Sequence, residues 1–262
     1  MKIESAGKTD VGKSRSNNQD SLAISDSISL YVVADGMGGH SGGERASKLT
    51  VDTVSEYLER KLKDKNLNIE QTIEEIGKGI SLANTKVREE AKINAELNGM
   101  GTTLVSLHIY ENEEQKREAI IANVGDSRAY LIRNRKIEQI TEDHSLLNEQ
   151  IKGGLLKPED SADFPYRNVI TRAIGIKENE EADFIRRPVE PNDIFLLCSD
   201  GLHGLVSDSE MMEIVDKNQP NLEKACKTLI DMANDKGGSD NITVILVWVG
   251  DQSKKKKWFS FG

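Results

Sequence analysis

The stretch "TLVSLHIYENEEQKREAIIANVGDSRAYLIR", residues 103–133, decides the fold class. Three runs rich in β-branched and aromatic residues, 103–110, 119–124 and 128–133, follow one another through the polar connections "ENEEQKRE" and "GDS". Such connections are too short for the helical crossover that parallel strands need, so neighbouring runs turn back on each other as hairpins. Four more runs of the same kind occupy 21–25, 29–34, 193–199 and 241–249. Several are apolar at nearly every position, which requires cover on both faces. Helices supply that cover. Ile69, Ile73, Ile76, Ile80, Ala83, Val87 and Ala91 recur at steps of three and four, behind a capping box of Asn68 and Gln71. An earlier helix carries Ala46, Leu49, Val54, Tyr57, Leu58 and Leu62, after a glycine-rich loop. Two late helices start at Ser207, with Glu210 three residues on, and at Asn221, the second stopping at Gly237-Gly238. Helices in pairs, and strands in series, predict an α+β fold of α-β-β-α layers: two antiparallel sheets flanked by helix pairs.

The 262 residues, 37% of them hydrophobic, suffice to bury a large core, and residues 1–250 are expected to form a single domain. A net charge of −9 argues against nucleic acid as partner. Cys198 and Cys226 both sit in apolar patterns and are read as reduced core residues. The start "MKIESAGKTD" lacks an apolar signal region, and no apolar run reaches the ~18 residues of a membrane span, so a cytoplasmic protein is expected. Residues 145–168 lack sustained periodicity and read as a short helix plus a surface excursion. The end, 251–262, "DQSKKKKWFSFG", is a basic and aromatic tail, read as solvated, with weak contact to a membrane surface as its alternative.

Acids stand at the strand ends. In "YVVADGMGGHSGGERAS", 31–47, an apolar strand closes on Asp35 and five glycines follow between Gly36 and Gly43. The spelling fits neither a P-loop, since Glu44-Arg45 follows the last glycine, nor the dinucleotide fingerprint, whose third glycine would fall on Ser41. Asp200 closes the strand at 193–199, Asp126 follows the one at 119–124, and Asp240 precedes the last. In an antiparallel sheet, starts and ends of strands share an edge, so four carboxylates can meet there. Converging acids suit hard divalent cations, with the Gly36 carbonyl free to turn towards one. An Asp-Gly pair in isolation is more often a plain turn, and the spacing of the set alone leaves both readings open.

Eight motifs resemble, in order, those of the metal-dependent serine/threonine protein phosphatases, the PPM or type-2C family, in its short bacterial branch. They are "RSNNQD" (15–20), "VVADGMGGHSGGERAS" (32–47), "GTT" (101–103), "ANVGDSRAYL" (122–131), "TEDHS" (141–145), "ITRAIG" (170–175), "LLCSDGL" (196–202) and "SDNITVI" (239–245). The resemblance implies a phosphoprotein phosphatase that uses two to three divalent ions, manganese or magnesium. Asp35 is then expected to bridge two metals, with the Gly36 carbonyl on the first and Asp200 and Asp240 on the second. Asp126 with Asp200 would hold a weaker third ion, Asp20 would orient metal-bound water, and Arg15 would grip the substrate phosphate. Water bridging the metals would attack phosphorus directly, with no phosphoenzyme. The excursion at 145–168 falls where the family carries a flap beside the active site, its Asp160 and Asp163 suggesting mobility and substrate gating. Expected partners are phosphorylated proteins, including a cognate serine/threonine kinase, and the chain is expected to be a monomer. One departure stands out: Met37 occupies the position where some relatives place a histidine as candidate general acid. His40 could substitute through water or shape the loop, His144 could orient the excursion, and His108 and His203 read as structural. A phosphatase-like binding module without turnover is the competing reading, opposed by the presence of every metal position.

Overall fold

The computed structural model describes residues 2–63, 67–157, 159–160 and 164–250, with the backbone alone at 39–41. The first part of the chain gives β1 (Lys2–Asp10), β2 (Asp20–Ser25), β3 (Leu30–Met37), α1 (Gly39–Leu62) and α2 (Ile69–Ile93). The middle gives β4 (Gly101–Thr102), β5 (Leu104–Glu111), β6 (Arg117–Val124), β7 (Arg128–Arg133), β8 (Lys136–Gln139) and α3 (Leu146–Lys152). The last part gives β9 (Asp183–Pro188), β10 (Asp193–Cys198), α4 (Asp200–His203), α5 (Asp208–Asn218), α6 (Leu222–Asp235) and β11 (Ile242–Gly250). One sheet runs β1-β11-β10-β7-β8; the other runs β2-β3-β5-β6-β9, with β4 paired to β3. All pairings are antiparallel.

Strand periodicity builds the layers. On β11, Ile242, Val244 and Leu246 face α5 and α6, while Ile245, Val247 and Val249 face the opposite sheet. On β3, Leu30, Val32 and Ala34 pack under α1 and α2, while Tyr31 and Val33 enter the space between the sheets. Three apolar layers result, one between the sheets and one beneath each helix group, as side chains of period two require. Both expected capping boxes form: Asn68 with Gln71, and Ser207 with Glu210. Cys198 and Cys226 are free and buried, as expected.

Two expectations need revision. The glycine segment is no loop before a helix: Gly39, Gly42 and Gly43 belong to the first turns of α1. Gly36 and Gly43 pack backbone to backbone, for a Cβ built on Gly36 would lie 2.0 Å from the Gly43 carbonyl oxygen. Glycine is required there because α1 starts directly against the strand that it leaves. Asp35 also lies within β3, two residues before its end, and does not follow the strand.

Candidate active site

Two of the acids, Asp35 and Asp20, reach the site through their parity along the strands. Asp35 shares the inward face of Tyr31 and Val33 on β3, and Asp20, its register partner on β2, shares that of Leu22 and Ile24. From the other sheet, Ser199 and Thr243 continue the inward rows of Phe195 with Leu197 and of Ile245 with Val247. At one end of the sandwich the apolar filling thus gives way to polar groups from both sheets. Ser199 donates from its hydroxyl to Asp20 Oδ2 at 2.7 Å, and the Thr243 amide donates to Ser199 Oγ at 3.0 Å. The four expected carboxylates therefore do not share the edge of one sheet; the site straddles two.

A cleft of about 550 Å³ opens over this end, walled by Arg15, Asp35, Gly36, Met37, Thr103, Asp126, Asn168, Ile170, Asp200 and Asp240. A second lobe of about 470 Å³ continues past Asp126, Asp200 and Asp240 towards Arg128, Asp143, Arg167 and His203. The structure thus brings together Arg15, Asp35, Gly36, Asp126, Asp200 and Asp240. Asp20 stands behind Asp35, off the cleft wall and 7% exposed.

Backbone contacts explain the convergence. Thr102 and Thr103 of the "GTT" motif pin Asp35: the Asp35 amide donates to Thr103 Oγ1 at 2.9 Å, and its carbonyl accepts from the Thr103 amide and Thr102 Oγ1, both at 2.8 Å. Thr103 Oγ1 also meets Ser127 Oγ at 2.7 Å, which fixes the turn that carries Asp126. A Cβ on Gly201 would lie 2.0 Å from the Asn241 carbonyl oxygen, so the glycine lets the Asp200 and Asp240 segments touch. The Asn241 side chain then staples the Arg15 loop in place, accepting from the Gln19 amide at 2.8 Å and donating to the carbonyls of Val11 and Asn17. Arg15 Nη2 donates to Asp240 Oδ2 at 2.8 Å.

The electrostatics are those of a site short of positive charge. Burial, opposed by its hydrogen bonds to Ser199 and Thr243, raises the Asp20 carboxyl from 3.8 to about 7, with Asp200 and Asp240 adding repulsion. Burial and the Asp200 and Asp143 charges bring Asp126 from 3.8 to about 7 as well. Asp35 is held well above the carboxylate range by burial, then by Asp20, Asp200 and Asp126. Asp200 is raised by burial and by Asp240. Among the described residues, no three acidic, histidine or cysteine side chains already close on one point as a ligand set. The donors nevertheless fit hard cations: all are oxygens, and the buried Asp20 Oδ1 and Asp200 Oδ1 lack any hydrogen-bond partner.

A family model described as Protein phosphatase 2C matches residues 10–246, nearly the whole chain. This chain belongs to the protein phosphatase 2C family. The Serine/threonine phosphatase stp of Listeria monocytogenes serovar 1/2a is 38% identical over 243 residues, 92% of this chain and 93% of that protein. Among solved structures, the S. agalactiae serine/threonine phosphatase superposes with a TM-score of 0.85 at 33% identity, covering 95% of this chain and 100% of that one. The catalytic domain of PstP, solved with two manganese ions, gives 0.81 at 30% identity, covering 95% and 99%.

Against this protein phosphatase 2C architecture, the histidines divide. His203 Nε2 bonds the Asp126 carbonyl at 3.0 Å, and burial lowers its pKa to about 4, so it holds the Asp126 turn as a neutral ring. His144 Nδ1 accepts from the Gly125 amide at 3.0 Å and its Nε2 meets Asp183 at 3.1 Å, bracing that turn from the other side. His108 is buried on β5, far along the sheet, and the His40 side chain lies outside the described residues. Asp163 and the tail, with Lys254 to Lys257, Trp258 and Phe259, lie outside them too. Met37 is on the cleft wall. Ser199, Thr243, Thr103 and Asn241 were not singled out from the sequence. Parity on the strands carries the signal for the first two, since each is a polar residue in an inward row that is otherwise apolar.

Proposed function

We propose that this chain is a metal-dependent serine/threonine protein phosphatase, with residues 1–250 as one catalytic domain and 145–168 as a flap beside the cleft. Asp35, the Gly36 carbonyl, Asp200 and Asp240 would hold a pair of divalent ions, manganese or magnesium, and Asp126 with Asp200 a third. When bound, these ions supply the positive charge that neutralises the phosphate and acidifies water in the cleft. The rest falls to the chain itself. Arg15, at the cleft mouth against Asp240, offers a planar guanidinium that can hold two phosphate oxygens. Asp20, fixed by Ser199 behind Asp35, orients the attacking water. Its oxygen bonds to phosphorus as the bond from phosphorus to the serine or threonine oxygen breaks. That oxygen takes a proton, leaving a free hydroxyl and inorganic phosphate. No side chain is phosphorylated on the way; burial raises both cysteines and keeps them as thiols.

The observation that carries this reading is the set of Asp35, Asp126, Asp200 and Asp240 on one cleft, with their neighbour Asp20 and a shortage of compensating charge. The names of the Listeria and S. agalactiae relatives support phosphoserine and phosphothreonine as the targets. Phosphorylated proteins in the cytoplasm, a cognate kinase among them, are the substrates we propose, acted on by a monomer. Among the described residues no helix is long and apolar enough to cross a membrane. Phosphate release from a phosphothreonine peptide tests the proposal: it should appear with manganese, vanish with excess chelator and be lost in Asp200→Ala. No release from folded, manganese-loaded protein would refute it and favour a binding module.

A further inference from the structure

The cleft lining has two chemistries: polar groups from the Arg15 loop and Asp240, and the apolar side chains of Met37 and Ile170. Met37 Cε and Ile176 Cδ1 lie 2.8 and 3.0 Å from the same point, the place where a side chain on Gly101 would begin, beside the Ile174 carbonyl oxygen at 3.0 Å, so both side chains converge on that glycine. The backbone explains the meeting: β4 pairs Gly101 with Met37 on one side, and Thr102 bridges to Ile174 on the other. Ile176 is 47% exposed although it is large and apolar. Met37 thus lines the cleft and also stands beside the exposed Ile176 at Gly101.

We propose that Met37, Ile170 and Ile176 form a substrate-specificity wall that takes an apolar side chain within two residues of the phosphorylated serine or threonine. The inference rests on the phosphatase reading above. A phosphothreonine side chain is short, so its phosphate reaches the acidic floor only with the peptide backbone at the mouth. Residues one or two positions away then stand roughly 3.5–7 Å along the chain, on the walls. The polar lining offers a neighbouring apolar side chain nothing that water does not. The Met37 wall removes it from water against three apolar side chains. Methionine suits this use, because its unbranched chain adapts to differently shaped partners. The departure that the sequence shows at Met37 is thereby a determinant of which peptides are favoured.

The experiment uses the full chain with manganese and phosphothreonine peptides in which one leucine moves through two positions on either side, against a parent with serine at all four. p-Nitrophenyl phosphate serves as a substrate without a peptide. At least one leucine peptide should exceed the parent in kcat/KM by about fivefold, mainly through KM, as expected for partial burial of one side chain on an open wall. The ratio should fall towards one in Ile176→Ser and recover in Ile176→Leu; a ratio is insensitive to the fraction of folded enzyme. If Ile176→Ser fails to fold, Ile176→Asn gives the same reading, and the wild-type preference stands as a test by itself. Equal turnover of all peptides overturns the wall, and so does a leucine preference that both variants retain. Equal turnover together with a dimer that Ile176→Ser dissociates would assign the exposed Ile176 to a second copy of the chain. Hydrolysis of none of the substrates, p-nitrophenyl phosphate included, overturns the phosphatase reading and the wall with it.

Discussion

Asp126→Asn should stabilise the metal-free protein, although it alters a residue of the candidate site. In the fold this carboxyl is raised from 3.8 to about 7, by burial first and then by the Asp200 and Asp143 charges. At 1.36 kcal/mol per pH unit, keeping it ionised above pH 7 costs the folded state about 4 kcal/mol as an upper bound. Water in the open cleft screens part of that, which leaves about 2 kcal/mol. The sign follows from linkage. A carboxyl raised by folding binds its proton more tightly in the folded state, so its relative stabilisation is complete below pH 3.8 and is lost as pH rises to about 7. An amide of the same size has no charge to suppress. In excess chelator at pH 8, Asp126→Asn should therefore raise Tm by about 4–8 °C, using about 2–4 °C per kcal/mol for a domain of this size. At pH 5 the gain should be smaller than at pH 8, because the folded-state carboxyl is then partly protonated. Added manganese should raise Tm of the variant by less than that of wild type, because one oxygen donor is gone. Thermal denaturation followed by circular dichroism reads all three. A lowered Tm in chelator at pH 8, or equal gains at both pH values, would refute the electrostatic account.

Three further substitutions probe the framework. Gly36→Ala forces a methyl to within 2.0 Å of the Gly43 carbonyl, and should leave little folded protein in a urea melt even when manganese is present. Ser199→Ala removes the donor to Asp20 and the acceptor of the Thr243 amide, and should lower stability by about 1–3 kcal/mol while weakening phosphatase activity. A urea midpoint unchanged in Ser199→Ala would show that these bonds contribute nothing. Arg133→Ala strands the fully buried Asp193 carboxylate and should cost about 3–5 kcal/mol, with the same Asp200→Ala-sensitive activity at low temperature. A loss below 1 kcal/mol would indicate that water reaches Asp193.

The strands that were legible in the sequence are those buried on both faces. β5, β6, β7, β10 and β11 read as nearly continuous apolar runs because helices cover one side and the opposite sheet the other. β1, β8 and β9 escaped notice for the complementary reason. They lie at sheet edges, where sequences such as "KIESAGKTD", "KIEQ" and "DFIRRP" trade apolar residues for charge and so discourage pairing with another chain. β4, with two residues, has no period to detect. The acids of the site were legible as strand-end aspartates, but their meeting place was not, since a strand pattern does not reveal which sheet a strand joins. Asp35 and Asp200 come from different sheets, and Ser199 and Thr243 gain their significance only once the two inward rows are known to face each other. The glycines illustrate a further limit. Gly36 tolerates no side chain because of Gly43, a constraint set by helix placement that the cluster signals without naming.

The pairing of β1 with β11 sets a timetable for synthesis. Lys2 lies opposite Gly250 and Asp10 opposite Ile242, so β1 waits for β11. At about 5–20 residues per second, the ribosome needs roughly ten to fifty seconds to deliver that partner. During this interval β1 has no ladder to join, and its polar composition, with Ala6 as the one buried residue among its nine, lets it wait in water. Asp240 and the Asn241 staple directly precede β11 and arrive with it. A nascent chain therefore carries Asp35 long before it can complete the site, and the cleft forms only once residues 240–250 have been made.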